Sequence, residues 1–155
     1  MVKWYMGPRP LHQLVCARLH ELLSSVRPPE LLVMADLAID HKPRYQRDIS
    51  VISKLQINFH LMAIPPEAVK LAVEVVSPSS RQRDRIEKWR AYARLGIPNY
   101  MLVELSDNGS PCVYYQKLVE GKYQLVDRAR PGEILRIEEP IAIEFDPAGL
   151  VEIAP

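Results

Sequence analysis

The sequence predicts a mixed α/β fold, a central sheet flanked by helices with one helix crossing between parallel strands. Three observations carry this. Residues 71–76 form an apolar run that reads as a strand buried on both faces. A helix-periodic, charged segment follows at 82–95, and a second apolar run at 100–104 closes the unit. Strand, helix and strand in that order set two parallel strands side by side.

The other elements follow in chain order. Pro8 and Pro10 precede a segment whose apolar positions, Leu11, Leu14, Val15, Ala17, Leu19, Leu22 and Leu23, fit an amphipathic helix. Arg27-Pro28-Pro29 ends it, because a residue before proline is pushed out of the helical region. Residues 31–39 are strand-like, and a polar connection with Pro43 leads to 48–52, where Ile49 and Val51 alternate with Ser50. Residues 53–68 fit helix and strand equally until Pro65-Pro66 closes them. Ser77-Pro78-Ser79-Ser80 is a turn able to cap the helix at 82–95, which stops at Gly96 and Pro98. Asp107-Asn108-Gly109 signals a hairpin, and strands at 113–118 and 123–126 are joined by Glu120-Gly121. The remainder, through Ile134, Ile137, Ile141 and Ile143, reads as short β segments before a polar tail at 145–155.

Length and composition narrow the function classes. At 155 residues, one domain is expected, with 1–10 as an N-terminal segment. Hydrophobic content of 48% and charged content of 25% support an ordinary core without staples. A net charge of +1 excludes a global polyanion-binding signature, so any nucleic-acid contact must be a local patch. Cys16 and Cys112 lack partnered spacing and read as reduced thiols. No apolar run nears the roughly 20 residues that span a bilayer, and the N-terminus lacks a signal-peptide apolar region, so a cytoplasmic location is expected.

Glu74 is the charge out of place, because it sits among Leu71, Ala72, Val73, Val75 and Val76. A carboxylate in a buried strand is costly unless a metal, Lys or Arg holds it. Projected at about 100° per residue, the 82–95 helix carries Arg83, Glu87, Arg90 and Arg94 on one polar stripe. Trp89 and Tyr92 lie nearly opposite, and Lys88 falls about 50° from the centre of that apolar side. Lys88 is therefore a candidate partner for Glu74, and Asp48 is a second carboxylate beside a strand. Two carboxylates and a lysine suit a metal-dependent phosphodiester hydrolase, with hard oxygen ligands for Mg²⁺ or Mn²⁺. The plainer alternative is Glu74 facing water from an edge strand, with Asp84 and Lys88 an ordinary i,i+4 ion pair.

At these residues the chain resembles the Uma-type restriction endonucleases of bacteria. Their pattern is a strand and turn E-V-x-S-P-S-[ST], then D-x-x-x-K-x-x-x-Y-x-x-x-G-[VI]-P-x-Y-W-L-V. The matching residues are Glu74, Ser77, Pro78, Ser79, Ser80, Asp84, Lys88, Tyr92, Gly96, Ile97, Pro98 and Tyr100. Met101 stands where Trp is usual, and Arg47 stands where a Pro usually precedes Asp48. The resemblance spans roughly residues 10–150. It implies the PD-(D/E)xK nuclease fold, a restriction endonuclease-like core with a divalent metal at its splayed strands. It also implies Asp48 and Glu74 as metal ligands, Lys88 as a catalytic lysine moved onto the helix, and Asp84, Tyr92 and Ser77 in support. Val76 occupies the position two residues after Glu74 where the lysine otherwise stands.

His12 resembles a histidine of that family, although a packing or surface histidine is the commoner role. None of His12, His20, His41 and His60 shows metal-ligand spacing. Around the helix start, Arg81, Arg83 and Arg85 form a local basic patch suited to phosphates, or to plain solvation. DNA is the expected partner, with a homodimer expected by analogy with nucleases that cut two strands. A catalytically silent nucleic-acid-binding or mobile-element accessory protein is the alternative.

Overall fold

A computed structural model of the chain describes residues 10–40, 47–60, 63–77 and 82–153, with backbone alone at 82–84. Helix α1 (Pro10–Val26) buries Val15, Leu19 and Leu23, a row at i, i+4 and i+8. Six strands then form one sheet in sequence order: β1 (Leu31–Ala35), β2 (Ile49–Ser53), β3 (Val69–Val76), β4 (Asn99–Leu105), β5 (Pro111–Val119) and β6 (Lys122–Ala129). Every neighbouring pair is antiparallel except β3 and β4, which are parallel and joined by helix α2 (Gln82–Arg94). The expected strand-helix-strand crossover is present.

The sheet has apolar side chains on both faces because successive residues point to opposite sides. Val73, Val75, Met101, Val103 and Val113 pack with α1 on one face. Strands β7 (Leu135–Ile137) and β8 (Ile143–Phe145), a separate two-stranded ribbon, complete that core. Ala72, Tyr92, Tyr100 and Tyr123 form the core on the opposite face, against α2. Helix α1 is also tied by its polar side chains. His20 Nε2 lies 3.0 Å from the Val33 carbonyl, and Arg18 Nη1 donates to the Gly149 carbonyl at 2.7 Å.

Helix α2 ends where expected. Gly96 adopts a φ of 75°, and the Ile97 N–H donates back to the Tyr92 carbonyl at 3.1 Å. This is a left-handed helix stop, which glycine adopts without strain. At the β4–β5 turn, Gly109 has a φ of 82°, and a Cβ there would sit 2.9 Å from Leu11 Cδ2. The turn thus needs glycine for its left-handed backbone, while the Leu11 tip would have to shift for a Cβ.

Three expectations change. The strand expected at 31–39 stops at Ala35, because Asp36 turns the backbone to a φ of 54°; Ile39 instead bridges Ile64. Among its described residues, the ambiguous 53–68 segment contains two short 3-10 turns, Lys54–Gln56 and Pro66–Ala68, the second opening on a proline. The polar tail expected from 145 begins later. Phe145 belongs to β8, and Asp146 caps a 3-10 turn, Pro147–Leu150, whose Leu150 is fully buried.

Leu19→Ala should cost about 2–5 kcal/mol in urea unfolding, because the side chain fills the α1–sheet core. Gln13→Ala, exposed on the same helix, should change stability by less than about 0.5 kcal/mol.

Candidate active site

The site lies where β2 and β3 part. Their antiparallel ladder ends with Ile49 opposite Val73, which sets Asp48 and Glu74 at neighbouring positions on the two strands. The Val75 backbone, one residue further, is satisfied by side chains. Its N–H donates to Asp48 Oδ2 at 2.7 Å, and its carbonyl lies 3.0 Å from His12 Nε2. His12 Nε2 is also 3.4 Å from Asp48 Oδ1. A carboxylate and an imidazole thus occupy the side of β3 that β2 has left.

Glu74 points from β3 toward α2 and is only 5% exposed. Tyr92 OH donates to its Oε1 at 2.8 Å, and Lys88 Nζ stands 3.6 Å from its Oε2. Lys88 and Tyr92 are one helical turn apart, so one face of α2 delivers both. The edge-strand alternative for Glu74 is excluded, since β3 lies inside the sheet between β2 and β4.

Burial pushes the Glu74 carboxyl up to about 7, and the nearby negative charge of Asp48 pushes the same way. Lys88, the Tyr92 hydrogen bond and Arg47 oppose that shift. Tyr92 is itself pushed well above the ordinary phenol range, by burial and by Glu74. The hydrogen bond to Asp48, and then that to Cys16, pushes the His12 imidazole up to about 10.

Arg47 sits at the position where the motif has proline, and it is 1% exposed. Its Nε donates to Ser50 Oγ at 2.6 Å, while buried Nη1 and Nη2 have no hydrogen-bond partner among the described residues. Burial lowers the guanidinium to about 10, with the charges of Tyr92 and Glu74 acting in the other direction. The guanidinium contributes charge near Glu74 without hydrogen-bonding either carboxylate.

Of the residues singled out from sequence, Asp48, Glu74, Lys88 and Tyr92 converge here. Ser77 follows β3 directly and lines a groove of about 390 Å³ with Arg85, Glu104 and Arg130. Arg85 Nη1 lies 3.4 Å from Glu104 Oε1, which occupies part of the expected basic patch in a part-buried ion pair. Arg81 and the side chains of Arg83 and Asp84 lie outside the described residues. Sequence reasoning missed Cys16, whose Sγ is 3.8 Å from His12 Nδ1. The available signal was the i,i+4 spacing of His12 and Cys16 on a helix.

The Uma2 family, described as "Putative restriction endonuclease", matches residues 4–150. The chain belongs to this family. The fold agrees with a solved structure described as a putative nuclease belonging to DUF820 from Anabaena variabilis ATCC 29413. That structure has a TM-score of 0.69 and 14% identity, over 97% of this chain and 86% of that one. The comparison with curated proteins found no match. No helix among the described residues is long and apolar enough to cross a membrane.

The Uma2 chain sets Asp48 and Glu74 at neighbouring positions where β2 and β3 part, and both carry the hard oxygen donors that a divalent ion such as Mg²⁺ takes. Because the folded Glu74 carboxyl lies near 7 and its unfolded value near 4.5, the native state binds the extra proton. Stability from this group is full below about 4.5 and is lost as pH rises through about 7. Glu74→Gln should therefore raise Tm relative to wild type at pH 8, with the difference vanishing near pH 5. Tyr92→Phe removes a donor to the charged carboxylate. It should move the Glu74 titration upward, as read by carboxyl NMR.

Proposed function

We propose that this chain is a metal-dependent nuclease that hydrolyses phosphodiester bonds of DNA in the cytoplasm. The observation that carries this is the buried Glu74, clasped by Lys88 and Tyr92 and standing beside Asp48 where β2 and β3 part. Asp48 and Glu74 are the residues to hold Mg²⁺ or Mn²⁺. Such an ion, when bound, polarises the phosphate and acidifies an attacking water.

The chain's own groups do the remaining work. Tyr92 fixes one oxygen of Glu74, which leaves Oε2 turned toward Lys88. The Lys88 ammonium sits at the reacting centre, where it orients water and offsets negative charge on the phosphate oxygens. The groove beside Ser77, with Arg85 and Arg130 on its wall, suits a phosphate backbone. One site cuts one strand, so double-strand cleavage calls for a homodimer or successive nicks.

A second reading keeps the fold and loses the chemistry, with the chain as a nucleic-acid-binding or mobile-element accessory protein. Arg47 favours it, because a buried guanidinium near Glu74 already supplies positive charge there.

The two readings separate on supercoiled plasmid with Mg²⁺ or Mn²⁺. The nuclease should nick it, and Lys88→Ala should slow nicking by about 10²–10⁴-fold. Asp48→Ala and Glu74→Ala should abolish both nicking and the metal-induced rise in Tm. Wild-type cleavage no faster than Lys88→Ala, with no metal shift, would leave the accessory reading standing.

A further inference from the structure

Beside the carboxylate pair lies a second donor cluster. His12 and Cys16 occupy the same face of α1, one turn apart, and that face meets Asp48 at the parting of β2 and β3. One ligand atom from each residue, an imidazole nitrogen, the Cys16 sulfur and an Asp48 oxygen, lies within 4.8 Å of the others. All three residues are part-buried, so an ion can reach them. In a tetrahedral zinc site, metal–nitrogen, metal–oxygen and metal–sulfur bonds of about 2.0–2.3 Å put ligands about 3.3–3.7 Å apart. The Asp48 oxygen lies 3.4 Å from His12 Nε2 and the Cys16 sulfur 3.8 Å from His12 Nδ1, on the other side of the ring, so the imidazole must turn to present one nitrogen to both.

We propose that His12, Cys16 and Asp48 form a site for a thiophilic divalent ion such as Zn²⁺ or Co²⁺. The donor types select the ion. A thiolate and an imidazole suit borderline-soft metals, whereas Mg²⁺ takes oxygen ligands. Binding forms metal–sulfur, metal–nitrogen and metal–oxygen bonds, and the thiol proton and one proton of the His12 imidazolium pass to solvent. The fourth position is left to water, as in three-ligand zinc sites. Asp48 belongs to both this site and the carboxylate pair. Occupancy here therefore withdraws a ligand from the proposed hydrolytic site, so that zinc inhibits a magnesium-dependent reaction. That consequence rests on the nuclease reading; the binding does not.

The test is Co²⁺ titration of the purified, phosphine-reduced full chain, read by absorbance. Wild type should develop a near-ultraviolet thiolate-to-cobalt charge-transfer band with the visible bands of tetrahedral cobalt, bleached by added Zn²⁺. Cys16→Ser and Cys16→Ala should both lose the charge-transfer band, while Cys112→Ser keeps it. Glu74→Ala should also keep it, since Glu74 is not a donor here. Failure of the nuclease reading is thereby distinguished from failure of this one. No charge-transfer band in the wild type, or an undiminished band in either Cys16 variant, overturns the proposal.

Discussion

The structure depends on one buried carboxylate. Glu74 lies in the middle of an interior strand among valines, where an unaccompanied charge is costly. Helix α2 supplies what it needs, a hydroxyl at 2.8 Å and an ammonium at 3.6 Å, from side chains four residues apart. The placement of α2 follows from the crossover. Joining parallel β3 and β4 carries the helix over the face to which Glu74 points. The glycine stop at Gly96 and the contact of the Tyr92 and Tyr100 rings, 5.9 Å between centroids, hold the helix in register there.

The parting of β2 and β3 is the second constraint. An interior strand cannot leave its backbone polar groups unpaired. Asp48 and His12 complete Val75 where the ladder stops, so residues suited to chemistry also satisfy the sheet. This couples site and fold. His12 comes from α1, whose opposite end is anchored by His20 to β1, and the depth of α1 on the sheet sets the His12–Asp48 contact.

Charge balance gives the site its particular character. Asp48 and Glu74 repel each other, Lys88 neutralises part of that charge, and Arg47 adds more from a fully buried position. In sequence, Arg47 stands directly before Asp48, where the motif has proline. In the structure its Nε is spent on Ser50 and its terminal nitrogens bond to neither acid. It acts on Glu74 through the field alone.

The sequence by itself determined the crossover unit, the helix stop at Gly96 and the hairpin turn at Gly109, and it made Lys88 a candidate partner for Glu74. Each is written in local spacing, as period two, period 3.6 or a glycine where the backbone turns left-handed. It determined less of the connections, because the end of β1 depends on a φ of 54° at Asp36, which no periodicity announces. Only the tertiary structure decided that Asp48 turns to the Val75 N–H, that Cys16 and His12 meet it, and that Arg47 is buried without a carboxylate partner. Those contacts join residues up to 63 positions apart. They arise where two strands part beneath a helix, a geometry set by the packing of the whole sheet and not by any one segment.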